Sequence, residues 1–198
     1  MRRFELSSPI VIDTDCLSSF LWVEKGFLVP RILKQPIFVP EPVILEISEL
    51  LRHRQYAWVP KQLDELIASG KYQRLQFTLT DPATAEYATL IRPTRGKQLG
   101  YGEASVLAYV RFHGGTVASN NLSDIAPYSR KHSIEFISTD DILCIGVKER
   151  TIEKGQASEL WEAMKARQRL PKHDFPEAYR RFCENLPRSE STQKAVSK

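Results

Sequence analysis

The chain has 198 residues, 42% of them hydrophobic and 26% charged, with a net charge of +4. That is the composition of one ordinary globular domain, long enough to bury a core without staples. Three cysteines without CxxC spacing and four scattered histidines exclude a disulfide framework and the ligand pattern of a structural zinc site, and no apolar run approaches the length of a membrane span.

The elements alternate in type along the chain. Residues 10–13 form a short apolar, β-branched run that predicts a strand, followed by a helix over 17–23 that ends near Gly26. A second strand is expected at 37–39, closed by Pro40. Pro42 suits the first turn of the helix that follows, with Val43, Leu45, Ile47, Leu50 and Leu51 along it. Next come an amphipathic helix over 61–69 stopped by Gly70, an alternating strand over 75–79, and a helix over 82–90 capped by Asp81. Residues 92–102 read as a basic, glycine-rich loop, and 102–113 as a helix carrying the small residues Ala104, Ser105 and Ala108. A strand at 116–118 leads to a helix starting at Ser123 or Asp124, with Pro127 in its first turn. A strand at 134–137 follows, then a helix over 142–148 capped by Asp140, and two more helices at 157–168 and 176–186. Short apolar strands separated by helices predict an α/β fold, a three-layer α/β/α sandwich around a parallel sheet of four to five strands. The expected division is a domain over residues 1–150, a helical extension over 151–186 packed on it, and a disordered basic tail over 187–198.

Four carboxylates stand beside residues that favour burial: Asp13 at the end of Pro9-Ile10-Val11-Ile12, Glu46 within the apolar stretch 41–51, Glu103 at the start of 102–112, and Asp124 after the strand 116–119. Burial disfavours an ionised carboxylate unless something positive compensates. Four such groups in one small domain predict a shared cation site, and oxygen donors select Mg²⁺ or Mn²⁺. In parallel sheets ligands bind beyond the carboxyl ends of the strands, where Asp13 and Asp124 both fall. Each acid also has an ordinary reading. Asp13 and Asp124 suit helix N-caps, Glu103 complements a helix dipole, and Glu46 is at home on a solvated helix face.

The order of Val-Ile-Asp13-Thr-Asp15, Pro-Val-Ile-Leu-Glu46-Ile, Gly-Tyr-Gly-Glu103-Ala-Ser and Ser-Asn-Asn-Leu-Ser-Asp124 resembles that of the PIN-domain nucleases, over roughly residues 8–150. The likeness is greatest to the prokaryotic branch that includes VapC-type toxins. It implies a compact α/β/α sandwich, Mg²⁺- or Mn²⁺-dependent cleavage of RNA, a homodimer, and an antitoxin partner if the chain is the toxin of a toxin–antitoxin pair. One departure is Asn120-Asn121, where many members carry an aspartate pair. On this reading Asp13, Glu103 and Asp124 are the principal metal ligands. Glu46 is an outer ligand or water-orienting base, and Asn121 holds a metal water or a phosphate or binds the metal through its amide oxygen. Thr14 or Asp15 steadies the ligands.

Arg92, Arg95 and Lys97, ahead of the Glu103 helix, and Arg130 and Lys131, after Asp124, are the expected phosphate contacts. Arg52 and Arg54 are further candidates, although a solvated surface charge is the ordinary reading of each of these cations, and Tyr101 could stack on a base, although core packing is its ordinary reading. Residues 165–198 carry 9 basic against 4 acidic side chains, an imbalance that suits a phosphate partner or a solvated tail. The start of the chain lacks the apolar core of a signal peptide, so a reducing cytoplasm is the expected location. Two competing classes remain. One is an RNA- or protein-binding module on the same fold without cleavage, which Asn120 and Asn121 favour. The other is a haloacid-dehalogenase-type phosphatase, because Asp13-Thr-Asp15 resembles that family's DxD motif, although Ser138-Thr-Asp-Asp matches its last motif poorly.

Overall fold

Five short parallel strands make one sheet in the order β3-β2-β1-β4-β5. The structure is a computed structural model that describes residues 6–93, 98–167 and 170–185. The strands are β1 (Ile10–Ile12), β2 (Ile37–Pro40), β3 (Gln73–Leu75), β4 (Thr116–Ala118) and β5 (Glu135–Ile137). β1 is central, pairing Ile10 with both Ile37 of β2 and Thr116 of β4.

Side chains alternate across a strand, and here both faces are apolar. Ile10, Ile12, Ile37, Val39, Ala118 and Ile137 enter one core, whereas Val11, Phe38, Val117 and Phe136 face the other. The first core is covered by α1 (Thr14–Leu21), α2 (Leu28–Leu33), α3 (Glu41–Ser48), α4 (Trp58–Ala68), α8 (Thr139–Lys148), α9 (Lys154–Lys165) and α10 (Phe175–Asn185). The second is covered by α5 (Pro82–Leu90), α6 (Tyr101–His113) and α7 (Leu122–His132). The chain is therefore a three-layer α/β/α sandwich. Trp161 of α9 and Phe175 of α10 are buried in the same core as Ile142 and Leu143 of α8, so the last two helices complete that layer. The expected end of the second region, residue 186, and the tail over 187–198 lie outside the described residues.

Several local expectations are corrected. The strand placed at 75–79 is β3 at Gln73–Leu75, and Leu79 is 96% exposed. β3 pairs with β2 up to Pro40, where α3 begins, so residues beyond Leu75 have no neighbouring strand to bond. α2 was not legible as an element because Pro30 interrupts a run of only six residues, and a 3₁₀ turn over Glu49–Arg52 extends α3. α7 starts at Leu122, so Pro127 falls inside it and removes the amide that would bond the Ser123 carbonyl. α8 is capped by Ser138, whose hydroxyl bonds Asp141 while the Asp141 carboxylate accepts from the Ser138 amide at 3.0 Å. Asp140 lies in the first turn of that helix and is not its cap.

Candidate functional site

The strand order reverses between β1 and β4, because the chain goes one way to β2 and returns on the other side to β4. At such a switch point the connections leave in opposite directions and open a crevice at the carboxyl edge of the sheet. Asp13 follows β1 there, and Ser119, Asn120 and Asn121 follow β4. α3 and α6 pack against each other and bring Glu46 and the Glu103 end of α6 to the same place. A cleft of about 200 Å³ results, lined by Asp13, Thr14, Asp15, Glu46, Gly100, Gly102 and Glu103.

Each acid is held by specific partners. Asp13 is the N-cap of α1 and accepts from the Cys16 amide at 2.8 Å. It is 1% exposed, and burial lifts its carboxyl to about 7. Hydrogen bonds from Ser119 and Cys16 oppose that rise, and the charges of Asp15 and Glu103 add to it. Asp15, on the rim, is raised too, by partial desolvation and by Glu46. Both oxygens of Glu46 are engaged: one accepts from the Thr14 hydroxyl, the other from the Gly102 amide at 3.0 Å. Thr14 thus holds one side of Glu46.

Gly102 is required by this approach. A Cβ there would lie 2.7 Å from Thr14 Oγ1 and 2.9 Å from Glu46 Oε2. Glu103 accepts from the Gly100 amide at 3.0 Å, in the first turn of α6. Capping and lining the cleft are therefore compatible tasks for Asp13 and Glu103.

Asp124 joins the cluster through Asn121. The amide nitrogen of Asn121 donates to Glu103 Oε1 at 2.5 Å and to Asp124 Oδ2 at 2.8 Å. Its amide oxygen meets the Ser123 hydroxyl at 3.1 Å, which also lies 3.0 Å from Asp124 Oδ1. The nitrogen of Asn121, not its oxygen, faces the two acids. Asn120 is a brace. Its nitrogen reaches the Asp15 carbonyl at 3.3 Å and Ser19 Oγ at 3.1 Å, and its oxygen accepts from the Thr139 amide at 3.0 Å. It ties the end of β4 to α1 and α8.

Sequence reasoning missed Ser119. This fully buried hydroxyl bonds Asp13 and accepts from the Asn121 amide at 3.2 Å. A serine closing a buried strand, next to two asparagines, was the available signal.

The donor set around the cleft is oxygen-only and matches a hard divalent cation in chemistry. A cation among these groups would also favour the ionised form of Asp13, which burial chiefly opposes. Among the described residues, no three carboxylate, imidazole or thiol groups are drawn closely enough together to hold a metal ion as they stand.

The expected phosphate contacts separate. Arg92 is exposed just past α5, whose Tyr87 feels the charges of Tyr101 and Glu46. Tyr101 is 55% exposed at the start of α6, beside the cleft and not in the core. Arg95 and Lys97 lie outside the described residues. Arg130 and Lys131 occupy the last turn of α7. A helix connecting parallel strands runs back against them, so these two side chains point from the opposite edge of the sheet, about 9 Å or more along the axis from Asp124. They are not at the cleft.

No protein-family model and no curated protein matches this chain. Among the described residues no helix is long and apolar enough to cross a membrane.

Proposed function

We propose that this protein is a divalent-metal-dependent ribonuclease that hydrolyses RNA phosphodiester bonds in the cleft between β1, α3 and α6. The observation that carries this reading is the meeting of carboxylates from separate segments. Asp13, Glu46 and Glu103 line one crevice at the strand-order reversal, and Asp124 is bonded into it through Asn121. A core position such as Asp13 is costly to ionise, and a cation beside it offsets that cost. Asp13, Glu103 and Asp124 are the residues that would hold Mg²⁺ or Mn²⁺. A bound ion supplies an acidified water and neutralises charge on the phosphate.

The chain's own residues do the rest. Thr14 and the Gly102 amide fix both oxygens of Glu46 at the cleft wall, and on this reading the carboxylate orients an attacking water through its remaining lone pairs. Tyr101 offers an exposed ring beside the cleft for a base of the substrate, and Arg92, exposed just past α5, is the candidate cation for a phosphate. The test is cleavage of single-stranded and structured RNAs in Mn²⁺ by wild type and Asp13→Asn. Loss of cleavage with a folded variant supports the reading, and full activity in the variant refutes it.

A second reading is an RNA- or protein-binding module without cleavage. The amide of Asn121, standing between two acids in place of a third acid, favours it. RNA retention in a mobility-shift assay with no cleavage in Mn²⁺ selects it. A phosphatase has less support, since Ser138, Asp140 and Asp141 are used up in the first turn of α8. The toxin role, an antitoxin, a homodimer and a cytoplasmic location belong to the resemblance and are tested by genetic context, copurification and sedimentation.

A further inference from the structure

We infer that the turn over 52–58 and the hollow beside it form a second RNA-binding site, one that takes unpaired nucleotides of the substrate away from the cleft. The proposal rests on the ribonuclease reading for the choice of RNA, but it is measured without cleavage.

The first observation is in the sequence. Residues 50–61 carry Arg52, Arg54 and Lys61 and no acidic side chain, with His53, Tyr56 and Trp58 interleaved among them. A core needs the rings but not the cations, and a solvated face needs the cations but not the rings. Single-stranded nucleic acid uses both, because phosphates meet the charges and every base offers a π-face for stacking.

The second observation is in the fold. Arg52, His53 and Arg54 are exposed, and Tyr56 and Trp58 are half-buried. Tyr56 and Trp58 stand nearly perpendicular to Trp22 at the end of α1, with ring centres 5.2 and 5.7 Å from it, and His53 lies 6.3 Å from Tyr56. Arg52 also pairs with Glu49, an exposed contact weak enough to be exchanged for a phosphate.

Trp58 belongs as well to a hollow of about 610 Å³, which Phe27, Lys61, Lys71, Glu24 and Glu65 also line. That volume is within the range of about 300–1,000 Å³ usual for small-ligand sites. Phe27 is 38% exposed there, although Gly26 and Leu28 on either side of it are buried. Phe27 and Trp58 are the platforms for a base, and Lys61 and Lys71 are the partners of its phosphates. The carboxylates of Glu24 and Glu65 accept from N–H groups on a base edge.

The site is joined to the cleft by a single rod. Ser48 and Glu49 keep helical backbone where α3 passes into its 3₁₀ turn, so Arg52 stands about 10 Å beyond Glu46 along the axis. About three stacked nucleotides, at about 3.4 Å each, cover that distance.

The test uses the protein's own fluorescence. Trp161 is fully buried, so of the three tryptophans only Trp22 and Trp58 can report an arriving base. In EDTA, a short oligouridylate is expected to quench the emission, and an RNA duplex of equal length to leave it unchanged. Phe27→Ala is expected to weaken the oligouridylate about tenfold. Arg54→Ala combined with Lys61→Ala, two exposed positions that leave the core intact, is expected to lower the slope of log affinity against log salt by about 1.4. Emission unmoved by oligouridylate, equal quenching by the duplex, or wild-type affinity and salt slope in these variants overturns the second site. If RNA quenches the emission yet is not cut in Mn²⁺, the second site stands and the ribonuclease reading falls. If RNA is cut in Mn²⁺ while the emission is unmoved in EDTA, the second site falls and the ribonuclease reading stands.

Discussion

Asp13 gives the sharpest prediction, because its contribution to stability and its proposed contribution to activity have opposite signs. Its carboxyl is lifted from 3.8 to about 7 by burial. An acid with a raised folded value binds its proton more tightly in the native state than in the unfolded chain. Between those two values the native state holds more protons, so stability falls as pH rises, and the loss is complete above the folded value. For this shift the loss between pH 5 and pH 8 is about 2–3 kcal/mol, out of about 4 kcal/mol in full. Asn at the same position retains an oxygen for the Cys16 amide and is itself a good N-cap. It carries no charge at any pH.

In EDTA, Asp13→Asn should therefore be more stable than wild type at pH 8 and lose that advantage at pH 5. Asp141 is raised as well and acts in the same direction in both proteins, so it cancels in the comparison. Urea unfolding at the two pH values, monitored by circular dichroism, measures the difference. Parallel pH dependence in wild type and variant would refute the claim that ionised Asp13 strains the apo fold. Saturating Mn²⁺ should then stabilise wild type at pH 8 and leave the variant unchanged.

Other outcomes follow from the same geometry. Gly102→Ala should cost about 1–3 kcal/mol and lower RNA cleavage, since the new methyl meets Thr14 and Glu46; unchanged melting and activity would contradict the close approach of α6 to α3. Trp161→Ala should cost about 3–5 kcal/mol in chemical denaturation, because a fully buried ring and its bond to the His173 carbonyl at 2.9 Å are both lost. Asn120→Ala should cost about 1–3 kcal/mol by leaving the first amide of α8 without its acceptor, an effect read in melting rather than in metal binding. The pair Arg130→Ala and Lys131→Ala should leave RNA affinity and its salt dependence unaltered, whereas Arg92→Ala should weaken binding and flatten the salt slope.

Much of the layer architecture was written in local pattern. Ile10-Val11-Ile12 and Thr116-Val117-Ala118 are short and apolar on both faces, and such strands need helices above and below. The acids were legible for the related reason that a carboxylate at the end of such a strand is out of place unless it has a task. Pairing was not legible, because strand hydrogen bonds depend on what lies alongside. The alternation over 75–79 looked like a strand, yet β2 stops at Pro40 and leaves it no partner.

The same limit applies within the cleft. Sequence alone marked Asn121 as an oddity, but the direction of its amide is set by Glu103, 18 residues earlier, and by Asp124. Nor does spacing along α7 tell which edge of the sheet Arg130 and Lys131 occupy; the return direction of the helix decides that. Residue type and periodicity are local properties and can be read in order. The meeting of Asp13, Glu46 and Glu103 depends on three segments packing at one strand-order reversal, so only the folded chain brings it about.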